Sequence, residues 1–278
     1  MKYSFMRFPN FRDKAVTLSY DDGVIYDERL IQIMSSNRLK GTFNINSGMF
    51  ATDENSRRLT KTSAIDLYLD SGNEIAVHGY RHLAIAEVDS AMAVNDILQD
   101  RLELEKIFGT IVKGMAYAYG SYDDKTVEIL KSCGIDYART TISTEKFDVP
   151  TDWLRLCPTC HHKNPRLMEL AKEFIELNPT RNPWVKRPKM FYLWGHSYEF
   201  NDNNNWEIFE EFSEYIGSRD DVWYATNGEI YEYVKAFESL KFSVDGKMIY
   251  NPSCVTIYLN YFDVNYEIRP KETLRIDK

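Results

Sequence analysis

Cysteine is scarce in this chain, and no hydrophobic run is long. Four Cys among 278 residues, Cys133, Cys157, Cys160 and Cys254, are too few and too scattered for a disulfide scaffold, so a reducing compartment is expected. No stretch approaches a membrane span, and residues 1–10 lack the uninterrupted apolar core of a signal peptide. The expected location is cytoplasmic, with no membrane partner. Positive charge is short as well: 34 Lys and Arg against 42 Asp and Glu give a net charge of -8. No basic stripe interleaved with aromatics stands out, which argues against nucleic acid as a partner. Internal repeats, low-complexity tracts and Gly/Ser linkers are absent too, so one rigid unit is expected.

What is plentiful is apolar and aromatic. Hydrophobic residues make up 44% of the chain and aromatics 14%, with 19 Tyr, enough to furnish a core and to line a sugar-binding cleft. Short apolar runs alternate with amphipathic stretches from Ala15 to about Phe237, the pattern of repeated β-α units around a parallel sheet. The expected strands are 15–19, 41–45, 74–77, 113–117, 136–139, 153–156, 190–194 and 222–225. Seven or eight strands predict an α/β fold, a distorted (β/α) barrel. Val94, Ile97, Leu98, Leu102 and Phe108 recur at helical spacing before Gly109, as do Ile208, Phe209, Phe212, Tyr215 and Ile216 before Gly217. Both stripes are expected to face the core. After Leu240 the period shortens to that of strands, with Asp245-Gly246 as a hairpin turn. The expected division is therefore a barrel over 1–239 and a β-rich appendage over 240–278 packed on it.

Three stretches place ionisable residues where an expected strand runs out: Asp21 and Asp22 in Ser19-Tyr20-Asp21-Asp22-Gly23, His78 and His82, and His196 in Leu193-Trp194-Gly195-His196. Successive side chains at a strand end point apart, so one carboxylate can bind a metal while the other faces substrate. His78 and His82, four apart, come to one side if their segment begins a helical turn. His196 is a third ligand, a general acid or a satisfied core histidine. Two imidazoles and a carboxylate suit a zinc-like ion with an open position, and the remaining groups suit proton transfer. The pattern points to metal-assisted hydrolysis. Cys157-Pro158-Thr159-Cys160-His161 has the spacing of c-type haem attachment, which would require export, and with His162 it makes only half of a zinc site. His161 and His162 are expected to line a loop above the barrel.

In this order and context the motifs resemble the polysaccharide deacetylase family, the carbohydrate esterases with a NodB-homology domain, over residues 15 to about 235. The resemblance implies Asp21 as catalytic base, Asp22, His78 and His82 as ligands of one divalent metal, Zn2+ being expected, and His196 as general acid. It also implies the Tyr119 backbone N–H as an oxyanion donor and an acetylated carbohydrate as substrate. Trp194, Tyr198 and Tyr80 are candidates for stacking on the sugar. The implied activity is hydrolysis of carbon–nitrogen (non-peptide) bonds or acetyl esters. An amidohydrolase of a small non-sugar amide and a catalytically weak carbohydrate-binding homologue are the alternatives. Ala116-Tyr117-Ala118-Tyr119 departs from the family's Arg-x-Pro-Tyr, so another cation must orient the base. Arg155 or Arg139 is available, and Arg155 is expected to emerge near the end of strand 153–156 and pair with Asp21.

Overall fold

A computed structural model describes residues 4–53, 55–180 and 186–276, so residues 1–3 of the amino-terminal stretch lie outside the described part. The chain opens with β1 (Ser4–Arg7) and β2 (Lys14–Asp21). It continues through α1 (Asp27–Ser36), β3 (Gly41–Ile45), α2 (Lys61–Tyr68), β4 (Glu74–Val77) and α3 (Ser90–Phe108). Next come β5 (Gly114–Ala116), α4 (Asp124–Ser132), β6 (Tyr137–Arg139), β7 (Cys160–His161) and α5 (Leu167–Glu176). Then follow β8 (Lys189–Gly195), α6 (Tyr198–Asp202), α7 (Trp206–Ile216), β9 (Val222–Tyr224) and α8 (Asn227–Glu238).

Parallel strands in the order β6-β5-β4-β3-β2-β8-β7 make a curled sheet, and β9 also pairs with β2. The β2 strand serves β9 through residues 14–16 and β3 through residues 18–21, while β8 lies along its other edge. All eight residues of β2 are buried, as expected of a strand covered on both faces. Leu156, four residues before β7, bridges to Arg139 at the end of β6, so the chain spans the gap between the two edges of a distorted barrel. Successive strands run the same way, so their C-terminal ends gather at one mouth.

Residues 153–156 do not form the expected strand. Trp153–Arg155 is a short 3-10 turn and Leu156 makes only the single bridge. Pro158, with no N–H to donate, separates it from β7. In α3 the buried side is Ala93, Asp96, Ile97, Asp100, Leu104 and Phe108, whereas Leu98 and Leu102 are 43% and 50% exposed. Two aspartates take the inward face because they serve the loop beside it. Asp89 caps the start of this helix by accepting from Met92 N–H, and Gly109, at φ 63°, ends it with a left-handed turn.

Beyond α8 lie β10 (Lys241–Phe242), β11 (Met248–Tyr250), β12 (Ile257–Tyr261), β13 (Val264–Ile268) and β14 (Thr273–Arg275). They form two small antiparallel sheets, β10-β11-β14 and β1-β12-β13. The strand β1 thus belongs with the C-terminal sheet, and a boundary drawn at residue 240 cuts through a hydrogen-bonded unit: Ser4 to Arg7 pair with Tyr261 to Tyr258. A second apolar cluster joins Met6, Phe8, Ala15, Met190, Tyr233, Ile249, Ile257, Leu259 and Ile268. Since Ala15 and Met190 stand at the N-terminal ends of β2 and β8, the appendage closes the barrel at the end opposite the mouth.

Candidate active site

Asp21 is the last residue of β2 and is 2% exposed. A buried carboxylate needs compensation. It comes from Arg139 at the end of β6, whose Nη2 donates to Oδ2, and from Asn44 on β3, whose Nδ2 donates to Oδ1 at 2.8 Å. Burial pushes the Asp21 carboxyl upward, yet Arg139, with His78 and His196, holds it at about 2. Arg139 is itself fully buried, its guanidinium 4.3 Å above the Trp194 ring. The chain then turns through Asp22 at φ 86° and Gly23 at φ 64°, which sends the second carboxylate another way. Asp22 Oδ1 lies 3.7 Å from His82 Nε2 and 3.1 Å from Arg58 Nη2.

His78 follows β4. Its backbone N–H donates to Asp100 Oδ2 at 3.0 Å and its Nδ1 bonds the Ala116 carbonyl at 2.9 Å, which directs Nε2 inward. That atom lies 3.2 Å from His82 Nε2. The two rings meet across a tight turn rather than on a helix: His82 N–H donates to the Gly79 carbonyl at 3.2 Å, with Gly79 at φ 85° and His82 at φ 56°. Asp96 secures the turn by accepting from Arg81 N–H at 3.1 Å. Burial lowers both imidazoles, His82 to about 4 with His78 adding to the effect, so both are neutral at pH 7. One ligand atom from each of Asp22, His78 and His82 falls within 4.8 Å of the others.

His196 comes off β8 with its two nitrogens facing different groups: Nε2 is 3.8 Å from Asp21 Oδ2, and Nδ1 is 3.7 Å from Glu199 Oε2. Burial lowers its pKa, but Glu199, Asp21 and Asp22 outweigh burial and the net shift is upward. Glu199 is ringed by His161, His162, His196 and Lys163, which hold it well below the usual carboxylate range against the upward push of burial. Behind this segment, buried Asp27 accepts hydrogen bonds from Ser197 Oγ at 2.5 Å and Tyr68 OH at 2.5 Å, and burial raises it to about 7.

The fold thus gathers Asp21, Asp22, His78, His82 and His196 at one mouth. Tyr119 reaches it too, 73% exposed with its ring 4.5 Å from His82, and Tyr198 sits at the rim, 5.2 Å from His196. Two expectations fail. Arg155 does not approach Asp21; it pairs with Asp124 and Asp152 on the outer surface, because it lies in the 3-10 turn rather than at a strand end. Trp194 is 8% exposed and its face is taken by Arg139, so it supports the cation instead of offering a platform for sugar. Asn44, Arg58, Asp100 and Glu199 were not singled out in the sequence. For Asn44 the signal was a polar residue in an apolar strand, and for Glu199 its position three after His196. A cavity of about 1000 Å³ lined by Phe5, Val149, Arg155 and Val234 contains none of these groups.

Residues 9–138 match the model of the polysaccharide deacetylase family. No curated protein matches the chain. Among solved structures, a Mycobacterium smegmatis protein assigned as a polysaccharide deacetylase aligns at 17% identity and a TM-score of 0.56, over 86% of this chain and 96% of that one. The chitin deacetylase of the fungal pathogen Colletotrichum lindemuthianum aligns at 19% identity and a TM-score of 0.52, over 81% and 89% respectively. Against a Streptococcus pyogenes deacetylase the match spans 55% of that chain and 45% of this one, at 19% identity and a TM-score of 0.42, which carries no argument. Likeness at these identities shows a shared fold.

Proposed function

Because residues 9–138 match the model of the polysaccharide deacetylase family, we propose that this chain is a metal-dependent hydrolase that removes acetyl groups, N-linked or O-linked, from a carbohydrate. The observation that carries the reading is the split of two adjacent carboxylates, one buried against Arg139 and the other turned toward two neutral imidazoles. Asp22, His78 and His82 would hold the ion. The donor set suits zinc: two imidazole nitrogens and one carboxylate oxygen, with the His78 proton committed to Nδ1 and its Nε2 lone pair turned toward His82. When bound, such an ion supplies Lewis-acid activation of water and of the acyl oxygen. Arg58 contacts Asp22 Oδ1, so a bound ion would share that carboxylate with the guanidinium.

Asp21 is ionised throughout the working range and accepts the proton of the attacking water. Arg139 and Asn44 fix the direction of its oxygens. The Tyr119 N–H, at a residue with φ 56°, is the candidate donor to a developing oxyanion. His196, across the mouth from Asp21 and raised in pKa, donates the proton that the leaving amine or alkoxide needs. Tyr119 and Tyr198 provide ring faces at the rim for the sugar.

Acetate release from a panel of N-acetyl and O-acetyl sugars, measured with zinc-supplemented protein, tests the reading. Asp21→Asn is expected to retain metal and lose at least a hundredfold in kcat, whereas Asp22→Asn loses metal affinity first. Sugar binding without acetate release would establish the binding-only alternative. Release from small non-sugar amides alone would establish the amidohydrolase.

A further inference from the structure

His161 and His162 take no part in the reading above, yet both turn toward its edge. They lie on and just after β7, beside Glu199 near the start of α6. Glu199 Oε2 is 3.2 Å from His161 Nε2, 2.9 Å from His162 Nε2 and 3.7 Å from His196 Nδ1. Zinc bonds of about 2.0–2.1 Å in a tetrahedron set neighbouring ligand atoms about 3.3 Å apart, and the three separations straddle that value. One ligand atom from each of His161, His196 and Glu199 falls within 4.8 Å of the others. Despite their burial, Glu199 Oε2, His196 Nδ1 and the Nε2 of His162, itself 2% exposed, have no aligned hydrogen-bond partner. Buried polar atoms that converge without good alignment are costly, and a cation between them relieves that cost.

We infer that His161, His196 and Glu199 form a second divalent-cation site, of the zinc-like class that imidazole and carboxylate donors select. It stands beside the Asp22, His78 and His82 cluster, and His196 joins the two, with Nδ1 toward the new site and Nε2 toward Asp21. Lys163 Nζ, 2.8 Å from Oε1, takes the other carboxylate oxygen and leaves Oε2 for the ion. His162 steadies the same oxygen and fits only because residue 195 is glycine, where a Cβ would stand 2.1 Å from His162 Nδ1. His161 Nδ1 accepts the Lys163 backbone N–H at 3.1 Å, so its proton faces Glu199 until an ion binds. Coordination through Nε2 would require the neutral ring to carry its proton on Nδ1 instead, which gives up the hydrogen bond from Lys163 N–H, a loss that a metal–nitrogen bond outweighs. The site does not depend on the proposed activity for its existence. Its bearing on catalysis rests on that activity: an ion on Nδ1 would exclude the imidazolium form of His196 and so hold back the acid step while the site is filled.

The test is metal stoichiometry in the full chain, stripped with chelator and titrated with Co2+ while its visible absorption is followed. Wild type is expected to take up two equivalents. Glu199→Gln and His161→Ala should each reduce this to one, with at least a tenfold loss of affinity at the second site, and His82→Ala should reduce it to the other one. One equivalent in wild type, unchanged by Glu199→Gln and His161→Ala, overturns the second site. A loss on Glu199→Gln with none on His82→Ala supports the second site and overturns the first cluster instead. Circular dichroism checks the fold of each variant, and the partly exposed His161→Ala carries the test if Glu199→Gln unfolds.

Discussion

Arg139 and Arg155 pose the same question to the sequence and receive different answers from the fold. Arg139 ends a strand next to the mouth and is fully buried on Asp21; Arg155 sits in a surface turn with its partners in water. Removing one member of a buried ion pair costs about 3–5 kcal/mol, because the other charge is left uncompensated. Arg139→Met is therefore expected to lower the urea midpoint markedly and to raise the Asp21 carboxyl from about 2. Arg155→Ala should leave kcat within about twofold of wild type by comparison. Acetate-release rates and urea titrations of both variants check this. Proton transfer also sets a pH dependence. On the proposed mechanism His196 acts as acid and must be protonated, and its pKa is raised, so activity should hold through neutral pH and fall as pH rises further. Since Asp21 titrates far below, no acid limb from the base is expected above pH 4, and a kcat profile from pH 5 to 9 would reveal one.

Among the elements, most of the barrel strands were legible and the turns were not; residues 153–156 were misread as a strand, and β1 and β7 were not read. A run such as Gly41–Ile45 announces itself by burial on both faces, and the strand-end motifs followed because Asp21, His78 and His196 all sit where such runs stop. The turn that joins His78 to His82 left no periodic trace, since its shape comes from Asp96 and Asp100 on α3, far along the chain. The same two residues explain why the α3 stripe was misread at Leu98 and Leu102: a helix with carboxylates on its inward face does not look amphipathic in the ordinary way. Glu199 was hidden because α6 spans only 5 residues, too few to show a period. Gly79 is the point where this turn is most sensitive. At φ 85°, with Asp96 Oδ2 standing 2.7 Å from where a Cβ would be, it admits no side chain without movement. Gly79→Ala should cost about 1–3 kcal/mol and weaken metal uptake at the first cluster while the barrel stays folded. Calorimetry and metal titration on the one variant read both effects.

Across the whole molecule, the appendage and the barrel share an apolar interior. Ile249, Ile257, Leu259 and Ile268 are each fully buried, and burying one such side chain is worth about 1.5–3 kcal/mol, so together they rival the net stability of a typical domain. A chain ending at residue 239 is expected to aggregate or to melt at least 10 °C lower, as differential scanning calorimetry would register. Stability should also depend on pH through Asp27. Its folded pKa of about 7 lies above the unfolded value, so the stability it contributes is complete below about pH 4 and is lost as pH rises toward 7. The full amplitude is about 4 kcal/mol. Urea unfolding at pH 4.5 and 7.5 should show this slope in wild type and a flatter one in Asp27→Asn.

The pairing of β1 with β12 also orders events in time. Residues 4–7 leave the ribosome early, while their partners, residues 258–261, are made near the end of the stretch described here. At about 5–20 residues per second the early strand waits some tens of seconds with an unpaired edge and with Met6 and Phe8 uncovered. The strands β2 to β6 can assemble meanwhile, because each neighbour follows within a few tens of residues, whereas the other edge of β2 must wait for β8 and β9. The β1-β12-β13 sheet therefore closes only after residues 258–261 are made, and anything that occupies β1 during synthesis delays that closure.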